Sequence, residues 1–173
     1  MKRLFYILLF ASAFLFYWGT ARFIENRTEA EDAFEYAMMV EQGAGHIWFY
    51  HPHHLLYASS MKCVYSTFQS LGYSGRPFDV MMLVSALSAA GSLFFFFLFC
   101  YRRFSLRPVS SLIATGFLGV SYGFWRYAAE AEVVLLGAFF GLVSLYFGTD
   151  PDTKKRKVAL GILFSVLAVL LHV

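Results

Sequence analysis

FDVMMLVSALSAAGSLFFFFLFCY, residues 78–101, carries a single charge, Asp79, and holds it at its polar edge. At a rise of about 1.5 Å per residue, a helix of this length crosses the roughly 30 Å hydrocarbon core of a bilayer. No Pro and no charge interrupts it after Asp79, and four consecutive phenylalanines fill residues 94–97. The stretch is read as a transmembrane helix.

Further apolar runs lie on either side. Residues 4–23 fit a span, as do residues 108–124, where Pro108 suits a helix start because its missing N–H has no partner there anyway. Residues 132–147 fit slightly short, and residues 158–173 begin a fifth run that stops beside His172. The first run follows Lys2-Arg3. It is longer than a signal-peptide core of roughly 7–15 residues, so it is expected to be a retained anchor. The unflanked fifth run suggests a chain that continues in its natural context. The expectation is all-α: a polytopic membrane bundle of about five transmembrane helices, with one extramembrane loop over residues 24–77.

Composition agrees. The 173 residues are 59% apolar, 20% aromatic and only 14% charged. That is too little charge to wet the surface of a soluble domain. Orientation follows from Lys and Arg. With the N-terminus inside, the inner positions hold Lys2, Arg3, Arg102, Arg103, Arg107 and residues 154–157; the outer ones hold Arg22, Arg27, Lys62, Arg76 and Arg126. The run Lys154-Lys155-Arg156-Lys157 is read as a topogenic loop, and no nucleic-acid partner is expected. Cys63 and Cys100 then fall on opposite sides, which excludes a disulfide between them.

The outer loop collects the polar chemistry. Its acids are Glu25, Glu29, Glu31, Asp32, Glu35 and Glu41. Thr28 and Glu31 read as a capping box opening a helix, which uses the Thr of the formal sequon Asn26-Arg27-Thr28; Gly43 and Gly45 read as its stop. Helical spacing puts Ala30, Phe34, Ala37 and Met38 on an apolar face, with Glu29, Asp32 and Tyr36 opposite. The helix is expected to lie on the membrane, its acids solvating the outer face. Asp32 stands out because it pairs with Glu35 at i, i+3.

Four histidines follow within nine residues: His46, His51, His53 and His54. Neutral imidazole is a common metal ligand. Without a helical His-x-x-x-His pair or a Cys partner, however, no dedicated metal site is expected. Trp48, Phe49 and Tyr50 read as interfacial belt aromatics. Residues 53–73 read as a second helix, interfacial or re-entrant. The last polar element is Phe124-Trp125-Arg126-Tyr127-Ala128-Ala129-Glu130-Ala131-Glu132-Val133. On a helix, Glu130 and Glu132 would point apart, one toward a site and the other toward Arg126 at i, i+4.

Taken in order, these elements resemble the N-terminal part of the GT-C superfamily of multispanning glycosyltransferases, in particular relatives of the protein O-mannosyltransferases. Asp32-Ala-Phe-Glu35-Tyr36 stands where those proteins have Asp-Ser-Gly-Glu-Phe. His51-Pro-His53-His54-Leu-Leu-Tyr57 stands where they have His-Pro-Pro-Gly-Tyr-Pro-Leu-Tyr. Gly75-Arg76-Pro77 and Tyr101-Arg102-Arg103 flank the next span, and the Phe124–Val133 junction follows. The departures from Gly-Glu-Phe and Pro-Gly-Tyr-Pro bear on donor and acceptor choice.

The resemblance implies transfer of a sugar from a polyprenyl-phosphate donor to a protein, lipid or glycan acceptor on the non-cytoplasmic side. The enzyme would sit in the bacterial inner membrane or, in a eukaryote, the endoplasmic reticulum. It implies catalytic roles for Asp32, Glu35 and Glu132, with Asp32 as general base, and substrate contacts from His51, His53, His54, Arg126, Glu130 and Trp125. A divalent metal held by loop acids stays open, as does activity of these 173 residues without further spans. Two other classes stand beside this one: a non-catalytic membrane protein binding a lipid or partner, and a metal-handling or transport protein using the histidines. Against transport, the spans carry few internal polar residues.

Overall fold

The structure, a computed structural model, describes residues 2–23, 31–151 and 154–172. Among these residues every regular element is helical. In order they are α1 (Lys2–Phe23), α2 (Glu31–Gln42), α3 (Tyr57–Ser70), α4 (Pro77–Arg102), α5 (Pro108–Val120), α6 (Tyr122–Ala128), α7 (Val134–Gly148) and α8 (Lys155–His172). The expected all-α class is observed. Glu25, Asn26, Arg27, Thr28 and Glu29, and with them the sequon and the capping box, lie outside the described residues.

Helix α4 is the axis, touching α1, α2, α3, α5, α6 and α7. In its most apolar window 61% of the residues are buried, against 6% in α1, so α4 is a core helix and α1 a peripheral one. Among the described residues only these two helices are both long and apolar enough to cross a membrane unaided. Helix α5 has 13 residues and α7 has 15 residues. Such lengths reach only about 20 Å. Helix α8 has 18 residues but opens on Lys155-Arg156-Lys157.

The long helices alternate in direction. At one pole the Phe5 and Phe97 rings sit 5.5 Å apart, Arg102 donates to the Tyr146 hydroxyl at 3.1 Å, and Asp150 bridges Arg103 at 2.7 Å and Lys157 at 3.0 Å. This pole joins the start of α1, the end of α4, the end of α7 and the start of α8, and it is basic. At the other pole Arg22 pairs with Asp79 at 3.0 Å, and the Ser85 hydroxyl donates to the Glu132 carbonyl at 3.3 Å. Here too the Leu56 N–H donates to the Leu170 carbonyl at 3.0 Å. Helices α2 and α3 cap this second pole, held by Ala33, Val40, Tyr57 and Met61 against Val80 and Met81 of α4.

Glycines set the closest approaches between helices. A Cβ on Gly91 would stand 2.6 Å from the Phe139 ring, and one on Gly161 would stand 3.2 Å from the Gly148 backbone. Small residues let helix backbones approach where lipid supplies no hydrophobic drive. Cys63 is exposed on α3, Cys100 is buried toward the end of α4, and both are free.

Three expectations need correction. First, residues 108–124 are not one helix. Ser121 is extended (φ −62°, ψ 137°), dividing α5 from α6. The Tyr17 hydroxyl donates at 2.9 Å to the Gly119 carbonyl. In an unbroken helix the partner of that carbonyl would be the Gly123 N–H. Second, the packed face of α2 is Ala33, Met39 and Val40, whereas Phe34 and Met38 are exposed. The expected apolar face was about one residue out of phase because it assumed lipid beneath the helix, where α3 and α4 lie. Third, Glu130 and Glu132 are not on a helix. They occupy the break between α6, which ends at Ala128, and α7, which begins at Val134.

Candidate functional site

Helix α2 ends where the sequence placed its stop, with Gly43 in the left-handed region at φ 64. Glycine adopts that conformation after a helix end without steric cost. The turn folds residues 46–56 back over the helix. Between them lies a cavity of about 290 Å³ lined by Asp32, Glu35, Tyr36, Met39, Trp48, His51 and His54. Asp32 and Glu35 project from successive turns of α2, as i, i+3 spacing requires. Trp48 and His51 form the facing wall, their rings 5.7 Å apart.

Glu132 approaches from the opposite end of the sequence. It lies in the α6–α7 break, buried at 8% exposure, its backbone held by Ser85 of α4. Burial, reinforced by the charges of Asp32 and Glu130, pushes its carboxyl up to about 7. Tyr36 links it to the cavity. Burial raises the Tyr36 phenol to about 12, and Glu132, Asp32 and Glu35 push it the same way. Tyr57, wholly buried behind Tyr36 with ring centroids 5.3 Å apart, is raised well above the ordinary phenol value by burial and by Glu132. Asp32 and Glu132, a hundred residues apart in sequence, thus share one electrostatic neighbourhood.

The other candidates are placed as follows. Glu130 is buried and pairs with Arg126 at 3.4 Å. Trp125 packs against the cluster of Tyr17, Ala86 and Ala128, away from the cavity lining. His53 is exposed and outside that lining, its ring 5.3 Å from His51. His54 stacks on His51 at 5.7 Å and on His172 at 5.9 Å, and it hydrogen-bonds the Leu171 backbone. Desolvation first, then the neighbouring imidazoles of His172, His51 and His53, hold its pKa below the ordinary histidine value.

This histidine geometry does not fit a metal ion. The His51, His54 and His172 rings lie near parallel with successive centroids 5.7 and 5.9 Å apart, and the His51 Nδ1 accepts the His53 N–H at 3.3 Å. Among the described residues no three of His, Cys, Asp and Glu are arranged to hold one. Four residues of the site were not singled out from sequence. Trp48 reads there as a belt aromatic, Tyr36 and Tyr57 as the closing residues of the two loop motifs with no role of their own, and His172 as the tail of an apolar run. The i, i+4 spacing of Tyr36 from Asp32 was the one usable signal.

No protein-family model, no curated protein and no solved structure matches this chain.

Proposed function

We propose that the chain is embedded in a membrane through α1, α4, α5 with α6, α7 and α8. The cavity at its α2–α3 pole is then the catalytic site of a GT-C-like glycosyltransferase using a polyprenyl-phosphate-linked sugar. The five crossings are supported by the alternating helix directions and by the apolar outer surface, exemplified by Ile7, Leu15, Ile113, Phe117, Ile162 and Val166. Cations gather at one pole and acids at the other, which makes the basic pole cytoplasmic and the cavity extracytoplasmic.

The single observation that carries the catalytic reading is the convergence of Asp32 with the buried Glu132 beside one cavity. In this reading Asp32 accepts the proton of an acceptor hydroxyl. The hydroxyl oxygen attacks the anomeric carbon, and the bond to the donor phosphate breaks with its electron pair on the leaving phosphate. His51 lines the cavity, where its imidazole can hydrogen-bond the leaving phosphate, and Arg126 pairs with the buried Glu130. Glu132, whose burial favours the protonated form, can donate as well as accept a hydrogen bond, which suits it to hold the acceptor rather than to deprotonate it. Glu35 stands one turn from Asp32 as a second acceptor of hydrogen bonds.

The test is sugar transfer in membranes carrying the chain, or its full natural context, supplied with polyprenyl-phosphate sugars. Asp32→Asn is expected to lower transfer about 10²–10⁴-fold, the ordinary worth of a general base, with unchanged protein level and melting temperature. Undiminished transfer by a folded Asp32→Asn protein would transfer the role elsewhere. Absence of both transfer and donor binding in the unaltered protein would favour the non-catalytic class.

A further inference from the structure

Helices α1 and α5 both begin at the basic pole. Between them run two adjoining cavities, of about 300 and 350 Å³, both bordered by Leu112. Leu93, Phe97 and Tyr101 of α4 form the floor. The walls offer little to a polar ligand. The Thr115 hydroxyl inside the groove donates back to the Ser111 carbonyl of its own helix at 2.7 Å, and that of Ser12 donates back to Leu8. The mouth differs in kind. Three exposed arginines adjoin lining residues: Arg3 two before Phe5, Arg102 next to Tyr101, and Arg107 next to Pro108. Arg102 hydrogen-bonds the hydroxyls of Tyr6 and Tyr146 rather than a carboxylate. Among the described residues the carboxylate of this pole is Asp150, and it bridges Arg103 and Lys157.

We infer that this groove is a binding site for one anionic phospholipid of the cytoplasmic leaflet. An acyl chain lies between α1 and α5, and the phosphate lies among Arg3, Arg102 and Arg107. The argument is charge complementarity at the mouth of an apolar channel. A neutral lipid would use the channel without the cations, and a second copy of this chain would bring the same cations against themselves. Basic pockets between transmembrane helices on the cytoplasmic side hold anionic headgroups for this reason. The inference rests on the membrane reading but not on glycosyl transfer. Alkaline extraction of membranes tests that reading separately: release into the supernatant would overturn the embedding itself.

The experiment uses the whole chain in non-ionic detergent, with phosphatidylglycerol or phosphatidylcholine of identical acyl chains added. Native mass spectrometry and thermal unfolding supply the readouts. Phosphatidylglycerol is expected to be retained at one molecule per chain and to raise the melting temperature more than phosphatidylcholine does. Arg107→Gln, at an exposed position, should shrink that difference, and Leu112→Trp, which fills the channel, should abolish lipid retention. Equal effects of the two lipids, or an undiminished phosphatidylglycerol preference in a folded Arg107→Gln protein, would overturn the proposal. So would a lipid-free dimer, which would give the groove to a second copy. If Leu112→Trp does not fold, the Arg107→Gln comparison decides.

Discussion

At the scale of single residues, Glu132 is where the physics is most exposed. Its carboxyl titrates near 7 in the folded protein against an ordinary value of 4.5. Between those values the folded state binds more protons than the unfolded one, so stability falls as pH rises through that window. His54 tilts the opposite way. Its lowered pKa makes folded stability fall as pH drops below the ordinary imidazole value of 6.5. The Glu132 contribution therefore has to be read as a difference between variants. Glu132→Gln should melt together with the unaltered protein near pH 4.5 and above it near pH 8. Parallel melting curves at the two pH values would mean that the buried carboxyl carries no charge penalty. Transfer activity should fall in the same variant, because the amide offers one accepting oxygen where the carboxylate offers two.

At the scale of elements, the break at Ser121 is held from outside the helix it divides. The Gly119 carbonyl turns to the Tyr17 hydroxyl of α1, and both residues are buried. Tyr17→Phe keeps the ring packing against Phe124 but strands that carbonyl. An unsatisfied buried acceptor costs about 1–3 kcal/mol, and the melting temperature in detergent should drop accordingly. A melting temperature unchanged in Tyr17→Phe would show that the break is set within residues 108–128 alone. The same principle of an element held by its neighbour applies to α2. Its buried stripe is chosen by α3 and α4, and this leaves Asp32 and Glu35 facing the cavity.

At the scale of the whole molecule, alternating helix directions put both acidic groups at one pole and Arg3, Arg102, Arg107 and the Lys155-Arg156-Lys157 start of α8 at the other. Two cysteines placed by the same alternation make this testable without new substitutions. Exposed Cys63 should react with a membrane-impermeant maleimide added from the extracytoplasmic side, while buried Cys100 should not. Labelling of Cys63 only from the cytoplasmic side would invert the topology and remove the cavity from the compartment where polyprenyl-phosphate donors are used.

The sequence by itself determined the helical class and marked residues 78–101 as a helix long and apolar enough to cross a membrane. These depend on local quantities: helical periodicity and apolar run length. It also singled out Asp32, Glu35, His51 and His54, because chemically reactive side chains are conspicuous in so apolar a chain. Only the tertiary structure decided which of them meet. Trp125 packed against the cluster around Tyr17 and Ala86 and Trp48 lined the cavity, although both are tryptophans in polar aromatic stretches. Tyr36 and Tyr57 joined the site, and His172 stacked on His54 across more than a hundred residues. The physical reason is that helical periodicity reports which residues share a face, whereas the neighbour covering that face is fixed by long-range packing. The one-residue phase error on α2 arises there, from α3 and α4, and the break at Ser121 carries a long-range contact of the same kind, the Tyr17 hydroxyl on the Gly119 carbonyl.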